Sequence, residues 1–260
     1  MHSTITAKGN SSLTYAPRSD QVPAPPHGLE YFYTPPELVN PPVLQIEAGE
    51  FMHLSHVMRR REGDLIGVVD GAGMAYVARL ESMQKHSVRC TIISTFPGLH
   101  EPSRSLIVAM GVLKNPSRTD TLVEKLTELG VRGLIPMLTT RTIPRHARVD
   151  RWEKIALAAM KQSGRCVLPV LEPLTRFEDV LSRPAAGARL ILHEEVTDVR
   201  LEEVVSRHDI DILVCVGSEG GFTDEEIAAA VERGFVPAGL GSRRLRSETA
   251  AIAAAARLLS

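Results

Sequence analysis

The chain has 260 residues, 43% of them hydrophobic, with 30 Lys plus Arg against 31 Asp plus Glu and a formal net charge of −1. That is enough apolar chain for one large or two modest domains, and the overall balance excludes a uniformly basic polyanion binder. No apolar run approaches the roughly 20 residues that span a bilayer. Cys90, Cys166 and Cys215 stand far apart with no C-x-x-C, which excludes a disulfide scaffold or a thiolate zinc site, implies no bound metal, and fits a cytoplasmic protein.

Residues 1–27 contain Ser, Thr and Pro with few large apolar groups; the stretch lacks the apolar core of a secretory signal and predicts a disordered tail. From 28 to 98, short apolar runs at 43–46, 65–69, 75–80 and 87–93 are broken by Pro and Gly. Asp70-Gly71 is a hairpin signal, and one short helix is expected over 50–58. The pattern predicts a small β-barrel-like domain.

Residues 96–102 read as a linker, and 99–260 then alternate between strand and helix. A buried strand is expected at 106–112, and a helix at 119–129 with Leu122, Val123, Leu126 and Leu129 on one face. A strand at 134–138, a helix from Arg151 and a strand near 167–171 follow. Such alternation predicts an α/β fold with a parallel sheet covered on both faces.

Charge is unevenly spread. From Arg104 to Arg165 there are twelve Lys or Arg against five Asp or Glu; from Cys166 to Phe235 there are six against fifteen. In the helix from Arg151, the residues Trp152, Ile155, Ala156 and Ala159 share a face that can dock on the sheet. Arg151, Lys154 and Lys161 form a neighbouring stripe, with Arg165 just past Gly164 and Arg141, Arg145 and Arg148 in the loop before it. Together they point to a phosphate-binding surface, although an ordinary solvated helix would look the same.

The sharpest local feature is the strand 211–216 running into Gly217-Ser218-Glu219-Gly220-Gly221, with Thr223 and Glu226 placed for a capping box. A second turn, Gly239-Leu240-Gly241-Ser242-Arg243-Arg244-Leu245-Arg246, leads into an Ala-rich helix that Ser247 can cap. A third, Leu192-His193-Glu194-Glu195, follows the strand at 189–192. Consecutive strand-to-helix turns lie side by side at the carboxyl edge of a parallel sheet, where open α/β sheets bind ligands. The spacing matches neither G-x-G-x-x-G nor the P-loop. Taken alone, each turn fits a ligand site or a structural tight turn equally well.

The segments Val216-Gly217-Ser218-Glu219-Gly220-Gly221-Phe222 and Leu240-Gly241-Ser242-Arg243-Arg244-Leu245-Arg246-Ser247-Glu248-Thr249-Ala250 resemble the two signature motifs of the bacterial 16S ribosomal RNA (uracil-N3)-methyltransferase family, within the SPOUT superfamily. His53-Leu54-Ser55-His56-Val57-Met58-Arg59-Arg60-Arg61-Glu62-Gly63-Asp64 resembles its N-terminal signature, and Lys125 to Val131 and Arg151 to Arg165 its intervening stretches. The likeness covers about residues 29–260. Two positions depart from it: Ser218 and Ser242 stand where the family usually has Pro, which should loosen each turn slightly.

The resemblance implies a PUA-like RNA-binding domain followed by a SPOUT domain with a C-terminal trefoil knot, and S-adenosyl-L-methionine as methyl donor. For donor binding it implies Leu192, His193, Glu194, Gly217, Ser218, Glu219, Gly220, Gly221, Leu240, Gly241, Arg243, Leu245, Arg246 and Thr249. Arg246 is the first candidate to stabilise the uracil oxygens. Glu219 or Glu248 would hold it or accept the N3 proton, and a plain helix-terminal role for Glu248 stays open. Arg59, Arg60 and Arg61 join the cations from Arg141 to Arg165 as candidate RNA contacts. The expected partners are 16S rRNA, within an assembled small subunit, and a second copy of the chain. A ribose 2′-O-methyltransferase of the same superfamily and an inactive assembly protein are the competing readings.

Overall fold

The structure is a computed structural model that describes residues 28–184, 187–196, 199–206 and 210–260. The tail expected over 1–27 lies outside the described residues. The first sheet comprises β1 (Tyr31–Tyr33), β2 (Val39–Asn40), β3 (Val43–Glu47), β4 (Leu65–Val69), β5 (Met74–Met83) and β6 (Ser87–Pro97). Its strand order is β1-β4-β5-β6-β3-β2, antiparallel except where β1 joins β4. Phe32, Leu44, Ile46, Ile66, Val68, Ala78, Leu80 and Val88 fill its core, as period-2 patterning requires. The expected helix over 50–58 is a short α1 (Ala48–Met52) continued by a π-helical turn at His53–Val57. At the expected hairpin, the buried Asp70 carboxylate accepts the backbone N–H groups of Ala72 at 2.8 Å and Met74 at 2.9 Å, closing the turn between β4 and β5.

The second sheet is built from β7 (Ser105–Gly111), β8 (Gly133–Leu138), β9 (Val170–Leu171), β10 (Thr175–Arg176), β11 (Ala188–Leu192), β12 (Asp211–Val216) and β13 (Val236–Ala238). Its order is β10-β8-β7-β12-β11-β13, with β9 also paired to β8, and every pairing is parallel. The helices are α2 (Pro116–Leu129), α3 (Val149–Ser163), α4 (Phe177–Leu181), α5 (Leu201–Val204), α6 (Asp224–Glu232) and α7 (Ser247–Leu259). Alternate residues of the central strands face opposite layers. Leu106, Val108, Leu190, Ile212 and Val214 meet α2, α5 and α7, while Ala109, Ile135, Ile191, Leu213 and Cys215 meet α4 and α6. A sheet buried on both faces explains why its strands read as unbroken apolar runs.

Three expectations are corrected here. The apolar face of α3 does not dock chiefly on the sheet: Trp152 and Ala156 pack on Val123 of α2, and Met160 enters a cluster shared with Val69, Ala75, Val77 and Phe96 of the first domain. The strand expected near 167–171 shrinks to Val170–Leu171, because Val167 bridges instead to Ala72 in the hairpin loop. Arg165 is not a surface cation. It is 2% exposed, pairs with Glu101 at 2.6 Å, and donates to the carbonyls of Thr127 and Val131. Glu101 in turn accepts the backbone N–H groups of Cys166 and Val167 at 3.0 and 2.9 Å.

The Arg165–Glu101 pair thus welds the linker to α2 and to the end of α3, at the seam between the two sheets. Lys161 has a similar duty, since its ammonium pairs with Glu50 of α1, whose other oxygen accepts the N–H of Tyr33. Removing one member of a buried, fully bonded pair leaves an uncompensated charge. We expect Arg165→Ala to lower the unfolding free energy in urea by about 3–5 kcal/mol, with no change in the salt dependence of RNA binding in the fraction that folds.

Candidate functional site

Because β11, β12 and β13 are neighbours, the three turns that follow them meet at one edge of the sheet. They wall a cleft of about 540 Å³, within the roughly 300–1,000 Å³ typical of small-molecule sites. The middle turn, 217–223, is held by its neighbours. Arg141, in the loop after β8, donates to the carbonyls of Gly220 at 3.0 Å and Phe222 at 2.8 Å. The Ser218 hydroxyl donates back to the Arg141 carbonyl at 3.3 Å. Glu226, 8% exposed, accepts the N–H of Thr140 at 2.7 Å with one oxygen and that of Thr223 at 2.9 Å with the other. The expected capping box at Thr223 and Glu226 is therefore present, and it also reaches a second loop.

On the opposite side, Glu219 Oε1 accepts the N–H of Lys114 at 2.9 Å, tying the turn to the loop between β7 and α2. These two loops approach so closely that a Cβ on Gly111 would lie 2.5 Å from the Ser218 nitrogen. Gly221 at φ +67° and Gly241 at φ +105° take left-handed backbone that favours glycine. Neither would meet anything within 4 Å through a Cβ, so both present bare backbone to the open cleft.

Charge around the cleft is arranged in pairs. Arg244 meets Glu194 at 2.9 Å, joining the 240–246 turn to the 192–195 turn, and Arg118 of α2 meets Glu248 of α7 at 3.6 Å. Arg243 and Arg246 are exposed, and neither has an ion-pair partner among the described residues. The three thiols lie outside this wall and are buried: burial pushes Cys166 up to about 11, Cys90 up to about 12 and Cys215 up as well.

Comparison with known proteins now places the chain. The RNA methyltransferase domain family matches residues 100–259, and the RNA methyltransferase PUA domain family matches residues 46–93. The chain belongs to the RNA methyltransferase family. A ribosomal RNA small subunit methyltransferase E from Synechocystis is 30% identical over 86% of this chain and 75% of its own length; one from Bacillus subtilis is 29% identical over 84% and 90%. Among solved structures, a Neisseria gonorrhoeae ribosomal RNA small subunit methyltransferase E bound to S-adenosyl methionine has a TM-score of 0.80 at 32% identity, covering 88% of this chain and 96% of that one. A putative methyltransferase from Legionella pneumophila, also with bound cofactor, has a TM-score of 0.77 at 28% identity, covering 88% and 96%. The family resemblance read from the motifs is borne out.

In this methyltransferase the cleft gathers Leu192, His193, Glu194, Gly217, Ser218, Glu219, Gly220, Gly221, Leu240, Gly241, Arg243, Leu245 and Arg246. Thr249 is not on its wall. Glu248 is not either: it turns toward α2 and pairs with Arg118, so it does not hold Arg246. Glu219 has one oxygen occupied by Lys114. Ser247 is the first residue of α7 and makes no side-chain cap. Ser218 gains a hydrogen bond that a Pro could not make, which offsets the expected loosening.

Sequence reading placed Glu195, Phe222 and Arg244 within the three turns but missed Arg118, Val216, Asp224, Ala238, Ser247 and Ala250 as lining residues, and took Arg141 for part of an outer stripe. Arg118 comes from a helix that carries no glycine signal, so nothing local marked it. Of the other candidate RNA contacts, Arg145, Arg148, Lys154, Arg59 and Arg61 are exposed, Arg151 pairs with Asp120, and Arg60 pairs with Glu30 at 3.5 Å.

We expect Gly111→Ala to push the 217–223 turn out of place although residue 111 lies behind it. Overpacking against backbone costs about 1–3 kcal/mol. S-adenosylmethionine affinity, measured by calorimetry, should fall by about tenfold or more.

Proposed function

We propose that the chain transfers a methyl group from S-adenosyl-L-methionine to N3 of a specific uridine in 16S rRNA of the small ribosomal subunit. The observation that carries this reading is the single cleft formed by the three turns, in a chain whose relatives with the same fold hold S-adenosyl methionine. The bare backbone at Gly221 and Gly241 suits close approach by a flat nucleoside. When bound, S-adenosylmethionine supplies a methyl group activated on a sulfonium.

Uracil N3 carries a proton and is a poor nucleophile until the proton leaves. The chain must align the base and favour its anion, and the unpaired guanidinium of Arg246 at the cleft wall is suited to that. Transfer to a ring carbon would instead call for a nucleophile to activate the ring, and the three buried thiols lie elsewhere. N3 sits on the Watson–Crick edge, so the uridine must be unpaired or extruded to reach the cleft.

The exposed Arg145, Arg148 and Lys154, with Arg59 and Arg61 on the first domain, would hold surrounding phosphates, and recognition would rest on RNA shape. The C-terminal trefoil knot belongs to the same proposal. In its support, β13 lies at the sheet's edge while α7 returns across β11 and β12 to pack on β7 and α2. Pairing of two catalytic domains across the Ala-rich α7 completes it, and light scattering should return twice the 28.4 kDa chain mass.

Mass spectrometry of small-subunit rRNA from a deletion strain tests the reaction. One base-methylated uridine should disappear and return with the wild-type gene; loss of a ribose-methylated nucleotide instead would favour the 2′-O reading. Neutralising Arg145, Arg148 and Lys154 should leave S-adenosylmethionine affinity unchanged. The salt slope of RNA binding should become shallower by roughly 0.7–0.9 for each phosphate the variant no longer neutralises.

A further inference from the structure

Arg118, in the first turn of α2, lines the cleft together with the three turns. Its side chain is 35% exposed, and its Nε stands 3.6 Å from Oε1 of Glu248, whose side chain is only 13% exposed. The other oxygen of Glu248 is buried without a partner. A carboxylate so placed has an acceptor in reserve, and a small closure of the helices would let it grip two N–H groups of the same guanidinium. Arg118 is thus aimed from behind, whereas Arg246 is exposed at the start of α7 with no ion pair. Arg141 has a different duty, since its Nη1 donates to the carbonyls of both Gly220 and Phe222.

Resting on the reaction proposed above, we propose that Arg118 is a second catalytic arginine, which binds one carbonyl oxygen of the uracil anion while Arg246 binds the other, and that Glu248 is the residue that positions it. The chemistry asks for two such groups. Deprotonated uracil spreads its charge over N3 and the carbonyl oxygens on either side, and Arg118 in α2 and Arg246 just before α7 line one cleft. The methyl donor is not a natural partner for a guanidinium at its reacting end, because the sulfonium is itself cationic. In the step, the N3 lone pair forms the new N–C bond as the S–C bond breaks, the bond pair stays on sulfur, and the N3 proton passes to water. An arginine already oriented by a buried carboxylate stabilises the developing charge without reorganising when the anion forms.

The test uses the full-length protein and rRNA carrying uridine or 5-fluorouridine, whose N3 is more acidic. Arg118→Ala should cut kcat by about two orders of magnitude, move the rise of kcat with pH to higher pH, and change the S-adenosylmethionine Kd by less than about threefold. The 5-fluoro substrate should restore the variant far more than it helps the wild type. Arg118→Lys should fall between, and Glu248→Gln should shift the pH profile the same way by a smaller amount, with KM for RNA little altered. A loss of S-adenosylmethionine affinity with kcat intact at saturation would overturn the proposal and make Arg118 a ligand of the donor's carboxylate. So would equal losses on both substrates with an unmoved pH profile, which mark a merely structural pair. If the wild type makes no N3-methylated product, the reaction itself is misassigned; that failure shows before any variant is compared.

Discussion

Between β12 and α6 the backbone must turn sharply, keep a glycine at positive φ, and still leave N–H groups free for a ligand. A turn of that kind has few hydrogen bonds of its own: Gly221 N–H to the Ser218 carbonyl, at 2.9 Å, is the one that closes it. Its rigidity is borrowed. Arg141 takes two of its carbonyls, Glu226 spans from its end to Thr140, and Glu219 holds it to Lys114. All three ties come from loops at the same edge of the sheet, so the parallel order of β8, β7 and β12 is what brings them within reach. The cleft is accordingly built before any ligand arrives, which is the condition for electrostatic stabilisation without reorganisation.

The same logic of buried charge joins the two domains. Arg165 and Glu101 satisfy each other and four backbone groups around them, with Lys161 and Glu50 repeating the device nearby. The apolar cluster of Met160, Cys166 and Val167 with Val69, Val77 and Phe96 then has a fixed frame to pack in. A domain held this firmly can present Arg59 and Arg61 in constant relation to the cleft, as recognition of RNA by shape would demand.

Much of this was legible in the residues. Short apolar runs with Gly/Pro punctuation located the first sheet, and the strand-to-glycine-to-helix pattern located the cleft, because both signals are local. What escaped was long-range pairing. Arg165 and Lys161 look like members of a cationic stripe with Arg151 and Lys154; only the proximity of Glu101 and Glu50, more than sixty residues away in each case, turns them inward. Arg141 and Arg118 were misjudged or missed for the same reason, since their partners, the 217–223 turn for Arg141 and Glu248 of α7 for Arg118, are brought near only by the order of the sheet. Glu248 kept its place beside the signature motif but faces α2, a matter of helix phase that its spacing from Arg246 did not reveal.

The central claim is that the three welded turns form the methyl-donor site. Hydrogen exchange with and without S-adenosylhomocysteine tests it most directly. The account predicts slowed exchange in peptides covering 192–195, 217–222 and 240–246, with the first domain unchanged. Protection confined to other segments, or none at saturating ligand, would contradict it.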